Sequence, residues 1–211
     1  MTTESATIRR SQRQRRSESE RRILDAAVEL VSQQGVERTG LAQIGDKAGT
    51  SRGLPGYLFG SKRELLRHMV IDLQRHWASV IGERSPQGTG VEEITNYVER
   101  YFKLLFSPKG RRYLGAMMGI VAAEASGLAD AEGLGREIND RLRGTFCRMI
   151  EDGLADGSIR RGADARTEAG LIVAQLRGIT LDWLIDRQSV LATTQWEAVV
   201  AHIRRALEAP G

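Results

Sequence analysis

The chain has 211 residues, 41% apolar, 27% charged and 5% aromatic, which excludes a mainly disordered chain and suffices for a buried core without a disulfide or metal staple. A single cysteine, Cys147, excludes an intrachain disulfide and a zinc cluster, and predicts a reducing, cytoplasmic setting. The net charge of +4 is uneven: residues 1–67 hold 13 Lys and Arg against 8 Asp and Glu, a net +5, while residues 68–211 hold 18 against 19.

The basic excess concentrates at the start of the chain. Arg9, Arg10, Arg13, Arg15, Arg16, Arg21 and Arg22 face only Glu18 and Glu20 over residues 9–22. A basic arm on a near-neutral body fits a polyanionic partner at one end, with a solvated tail as the alternative. No apolar run approaches the ~18 residues of a membrane span. The basic N-terminus is not followed by the apolar stretch of a secretory signal.

The apolar periodicity predicts an all-α chain of about nine helices, with no strand pattern. The first helix spans about 17–34, with Ile23, Ala26, Ala27, Leu30 and Val31 on one stripe. Gly35 stops it. Thr39 reads as the N-cap of a short second helix carrying Leu41, Ile44 and Ala48. After Gly49, Thr50 and Ser51 read as caps for a third helix over about 52–59, with Pro55 in its first turn. Ser61 to Glu64 reads as a capping box opening a fourth helix, 62–83, striped by Leu66, Met69, Val70, Leu73, Trp77 and Val80. Residues 82–90 read as a linker, followed by helices near 91–106, 109–126, 134–155, 164–187 and 194–208.

The second and third helices carry the functional signal. They are short and joined by Gly49-Thr50-Ser51, as in a helix-turn-helix at about 40–59. Gly45 and Ala48 are small enough for a close crossing. The run Ile23-Leu24-Asp25-Ala26-Ala27, Leu30, Gly35, Thr39, Ile44, Ala48-Gly49, Ser51-Arg52-Gly53, Phe59-Gly60-Ser61-Lys62 and Leu65-Leu66 resembles the N-terminal domain of TetR-family transcriptional regulators. The resemblance implies an all-helical homodimer that represses transcription at a palindromic operator on double-stranded DNA until a small-molecule effector binds. The arginine run gives an arm at 1–16, and the resemblance implies a DNA-binding domain at 17–67 and a regulatory and dimerisation domain at 68–211. Where the family usually has tyrosine this chain has Gly56, with Tyr57 next to it, and Pro55 replaces a leucine or phenylalanine.

The candidate DNA-binding residues are Thr39, Ser51, Arg52, Gly53, Leu54, Tyr57 and Lys62. Tyr57 and Lys62 are read as phosphate contacts, Thr39 and Ser51 as caps that also donate to phosphate. Arg52 is read as a guanine or phosphate contact, and Leu54 as a thymine-methyl contact. The arm is read as a minor-groove element.

The C-terminal part carries no catalytic motif. His68 and His76 lie eight apart, which is not a metal spacing, so neither a metal nor a cofactor is expected. Cys147 reads as a packed thiol. Candidates for an effector pocket are Trp77, Phe102, Phe106, Met117, Met118, Phe146, Cys147 and Trp183, with Glu124 as a possible charge, which predicts an apolar or aromatic effector. The fourth helix reads as the lever between pocket and DNA. Leu171, Ala174, Gly178, Leu181 and Ile185 stripe the penultimate helix, and Trp196, Val199, Val200, Ile203 and Leu207 the last. The resemblance implies that these two helices form a four-helix dimer interface. A helical enzyme with an accessory DNA-binding element lacks convergent titratable groups here. A non-specific nucleic-acid binder would spread its positive charge more widely. Repressor and activator are not distinguished by the residues.

Overall fold

The computed structural model describes residues 12–81, 88–186, 188 and 196–209. Among these there are nine α-helices and a 3-10 turn, and pairing outside helices is limited to one isolated bridge between Ile159 and Glu208. The all-α expectation is met. Helix α1 (Gln12–Gln34) starts upstream of the expected 17, so Arg13, Arg15 and Arg16 are exposed on a helix and not in an irregular arm. Residues 1–11 of the expected arm and 82–87 of the expected linker lie outside the described residues.

The next two helices are α2 (Leu41–Lys47) and α3 (Leu54–Phe59). Their caps differ from expectation. Thr39 is fully buried, and its hydroxyl donates to the Gly35 carbonyl at 2.7 Å. Gly40 therefore takes the N-cap of α2. At α3 the N-cap is Gly53, with no side-chain acceptor, and Pro55 sits in the first turn as expected. Thr50 turns back to donate to the Gly45 carbonyl at 3.2 Å, and Ser51 caps nothing. Helix α4 (Lys62–Ile81) keeps half of its capping box. The Glu64 amide donates to Ser61 Oγ at 3.1 Å, while the Glu64 carboxylate accepts from Arg67 instead.

Helix α5 (Gly90–Phe106) starts with a complete capping box between Thr89 and Glu92. Helix α6 (Pro108–Ala125) is capped by Ser107, with proline in the first turn, where a missing N–H costs little. A 3-10 turn (Ala129–Ala131) leads into α7 (Leu134–Asp156). Helix α8 (Ala165–Ile185) is capped by Asp164 accepting from the Thr167 amide at 2.8 Å. The last helix, α9 (Trp196–Leu207), lies on α5, and its C-terminal end is tied back by the Arg160 amide donating to the Leu207 carbonyl at 2.8 Å.

Two apolar cores result. One joins α5, α7, α8 and α9 with Ile81 at the end of α4. The other joins α1, α2 and the first half of α4 to α6, and takes in Leu134 and Ile138 of α7. The expected boundary at 67 falls inside α4 and inside this second core. Helix α6 presses directly on α1: a Cβ at Gly115 would meet Ser32 Cβ at 3.3 Å, and one at Gly119 would meet Val31 Cγ1 at 3.3 Å. The N-terminal helices are therefore packed on the body through α6 as well as continued into it through α4.

Candidate nucleic-acid interface and internal cavity

The α2–α3 unit owes its tight geometry to two glycines. Gly49 has φ +65°, a left-handed turn open to glycine at little cost. At Gly45 a Cβ would lie 2.8 Å from the Ser51 carbonyl oxygen and 3.1 Å from Arg52 Cα. The expected close crossing is thus present at Gly45.

This crossing leaves one face of α3 to solvent. Tyr57 is 81% exposed, and Ser51, Arg52 and Gly53 are also exposed. Leu54 is half-buried and packs on the N-terminal core. Arg52 Nε donates to both Asp46 carboxylate oxygens, at 3.1 and 3.0 Å, which orients the guanidinium from the far side of the turn. Two candidates are not presented this way. Thr39 is sealed in the core, so its hydroxyl has no route to a phosphate. Lys62 is only 18% exposed and forms an ion pair with Asp130, Nζ to Oδ2 3.1 Å, because α4 begins against the 3-10 turn.

A cavity of about 950 Å³ lies among α4, α5, α6, α7 and α8. Of the predicted pocket residues, Trp77, Met117 and Met118 line it. Trp77 Nε1 donates to the Tyr97 hydroxyl at 2.6 Å and meets Tyr101 edge-on. Burial drives both phenols up, Tyr101 to about 12, so they remain neutral. The Tyr101 hydroxyl pairs with the Thr180 hydroxyl, which donates to the Leu176 carbonyl.

The other five pocket candidates lie elsewhere. Phe102 and Phe146 are fully buried and belong to the core of the body. Trp183 is buried there too, and Phe106 packs edge-on against it, away from the cavity. Cys147 is half-buried beside Glu151; burial and that carboxylate raise its pKa and keep the thiol protonated. Glu124 is likewise not a cavity charge: its carboxylate accepts from the Arg136 amide at 2.8 Å and so caps α7.

What periodicity missed is the charge on the cavity wall. Arg136, Arg141, Arg148 and Arg177 line it, with Glu137 and Asp140. Among these, Arg141 donates to Gln74 Oε1 at 2.9 Å. No local signal separates a lining arginine from a surface one on an amphipathic helix.

The predicted dimer stripe divides in two. On α8, Leu171, Ala174, Gly178, Leu181 and Ile185 are all exposed, Ile185 at 78%. On α9, Val199, Ile203 and Leu207 are buried in their own protomer, and Trp196 and Val200 pack on the same core. The α9 stripe is thus used against α5 and does not face outward.

Among the described residues no group of His, Cys, Asp and Glu could hold a metal ion, and no helix is long and apolar enough to cross a membrane. A short exposed helix behind a tight glycine turn, mounted on a helical body with a solvent-open cavity, defines a helix-turn-helix DNA-binding protein. The family description "Bacterial regulatory proteins, tetR family" matches residues 23–69, and "BetI-type transcriptional repressor, C-terminal" matches residues 98–208, more than half of the chain. The chain belongs to the TetR family of bacterial transcription regulators and is a regulator, not an enzyme.

The chain is similar to the fatty acid metabolism regulator protein of Bacillus subtilis, at 22% identity over 170 residues, covering 79% of this chain and 84% of that protein. Its fold is similar to a TetR-family regulator from Rhodococcus sp. (TM-score 0.75, 18% identity, covering 90% and 96% of the two chains). It is also similar to NalD, the secondary repressor of the MexAB-OprM multidrug efflux pump in Pseudomonas aeruginosa (TM-score 0.71, 21% identity, covering 92% and 98%).

Proposed function

We propose that this chain is a homodimeric repressor that holds a palindromic operator through α3 and releases it when a small molecule enters the α4–α8 cavity. The observation that carries this reading is the double use of two helices. Helix α4 begins beside α3 and reaches the cavity at Gln74, Trp77 and Ala78. Helix α6 lines the cavity with Leu114, Met117, Met118 and Val121 and presses on α1 through Gly115 and Gly119. A ligand that favours one packing of α4 and α6 alters where α3 sits. It shifts DNA affinity by its differential affinity for the two arrangements.

Tyr57 and Arg52 are the exposed groups assigned to DNA, with Ser51 and Gly53 close to the backbone and Leu54 at the edge. The exposed α8 stripe is assigned to the dimer contact, which sets the two copies of α3 about 34–36 Å apart or a multiple of that. The repressive sense is supported by the BetI-type match over the C-terminal part.

The test is selection of binding sites from fragments of the source genome, then affinity for the best fragment against scrambled DNA at two salt concentrations. A palindromic site preferred by at least ~10³-fold is expected. Equal affinity for both DNAs would replace this reading with non-specific binding.

A further inference from the structure

The cavity has two unlike sides. Trp77, Leu114, Met117, Met118 and Met149 make an apolar wall. Facing solvent less directly than the others, Arg177 of α8 is half-buried in the lining and has no hydrogen bond or ion pair among the described residues. Its neighbour Tyr101 is neutral and engaged with Thr180, so it supplies no countercharge. Burial lowers the pKa of Arg177, with nearby Arg143 adding repulsion. The acids on the lining, Glu137 and Asp140, are exposed on α7, and Asp140 pairs with Arg143 at 3.7 Å.

Gln74 borders the same cavity. It is 5% exposed, and its Oε1 accepts from Arg141 at 2.9 Å. A guanidinium offers only donors, so this contact assigns the oxygen end of the amide. The Nε2 end is buried without a partner. That amide is closed off from the cavity, so a ligand does not reach it. An unpaired guanidinium on the wall of a cavity calls for an anionic occupant, and the opposite wall calls for an apolar body.

We propose that the cavity takes an amphipathic organic anion, its aliphatic or aromatic body against Trp77 and the methionines and its acidic head on Arg177. This rests on the reading of the same cavity as the effector site. It narrows that site from apolar ligands in general to those bearing a negative charge.

The test uses the full-length protein without DNA and four probes of one chain length: decanoate, decyl phosphate, 1-decanol and decyltrimethylammonium. Affinity is read by calorimetry and by tryptophan fluorescence, below the micelle concentrations. Decanoate or decyl phosphate is expected to bind about tenfold or more tightly than decanol, as a charge-assisted hydrogen bond implies. The better of the two identifies the head as carboxylate or phosphoryl. Arg177→Met is expected to remove that preference, with a far smaller change for decanol than for decanoate, and to leave the melting temperature of the unliganded protein equal or higher. A structural arginine would instead lower it. Arg177→Lys is expected to keep part of the preference.

Decanol binding as tightly as decanoate, tightest binding of the ammonium, equal losses for both in Arg177→Met, or no binding by any probe would overturn the proposal. Operator binding separates it from the wider reading. Decanol that binds equally and releases DNA leaves the effector site and removes the anion. Decanoate that binds tightly without changing operator affinity leaves the anion site and removes its effector role.

Discussion

Lys62 and Asp130 join the first turn of α4 to the 3-10 turn ahead of α7, Nζ to Oδ2 3.1 Å. Beside them Arg63 donates to the Ala129 carbonyl at 2.9 Å. Three residues after that turn comes α7, whose Arg136 and Ile138 line the cavity. The start of α4, next to α3, is thereby held to the cavity wall by a second route besides α4 itself. A partly exposed pair of this kind is worth ~0–1 kcal/mol, so its effect belongs to position more than to stability.

Asp130→Lys is therefore expected to leave the melting temperature nearly unchanged and to shift operator affinity about fivefold or more, the lower end of ordinary coupling. The charge-swapped double variant Lys62→Asp, Asp130→Lys is expected to restore affinity. Titration of operator DNA with the three proteins checks this. A double variant weaker than Asp130→Lys would return Lys62 to a direct phosphate contact.

Tyr57 is 81% exposed, so its side chain contributes little to the folded protomer. Tyr57→Ala is expected to change stability by less than ~0.5 kcal/mol and to weaken operator binding about tenfold. Tyr57→Phe isolates the hydroxyl. Thermal melts and DNA titrations on both variants separate a DNA contact from a packing role.

At Gly45 a Cβ would sit 2.8 Å from a backbone oxygen and 3.3 Å from Pro55 Cδ, neither the end of a flexible side chain. Gly45→Ala is expected to cost ~1–3 kcal/mol by overpacking and to displace α3, lowering both melting temperature and operator affinity. Gly56→Ala is the comparison: its Cβ would meet Leu41 Cδ1 at 3.8 Å, an ordinary contact. That variant is expected to be neutral or slightly more stable, as alanine favours helix over glycine by ~0.5–1 kcal/mol.

The outward stripe of α8 includes Leu181 at 49% and Ile185 at 78% exposure. A Leu181→Glu, Ile185→Glu variant is expected to sediment as a monomer, keep its helical circular dichroism and lose operator affinity. Dimers persisting in sedimentation would move the contact off this stripe.

His76 is packed edge-on against Tyr113, with ring centroids 4.9 Å apart. Burial, with Lys109 nearby, holds its pKa below the ordinary value of about 6.5. The unfolded chain then binds a proton more readily than the folded one. Its contribution is present above pH ~6.5 and is lost as pH falls through the lowered folded value. Melting temperatures are expected to fall from pH 7.5 towards pH 5, and His76→Gln is expected to flatten that fall. An NMR titration of the imidazole gives the folded pKa directly.

The helices were legible because their signals are local. Apolar residues at i, i+3 and i+4 mark Ile23 to Val31 on α1, and Pro55 and Gly49 mark the turn into α3. Caps were less legible, because the Thr39 hydroxyl could accept from a backbone amide of α2 or donate to a carbonyl at the end of α1. Its burial against α1 settled the hydroxyl on the Gly35 carbonyl. The site was legible only in part: Trp77, Met117 and Met118 line the cavity, while Phe102 and Phe146 do not. An aromatic on an apolar stripe reads the same whether it faces another helix or a void.

By itself the sequence determined the all-α class, the place of the helix-turn-helix and the apolar stripe on α8. Side-chain spacing along one helix sets all three. Only the tertiary structure decided that α9 spends its stripe on α5, that α6 bears on α1, and that Arg177 lines the cavity without a partner. It also decided that Lys62 meets an acid from a distant turn. Which faces meet, and whether a charge finds a partner, depends on the packing of segments far apart in the chain. No local periodicity records that.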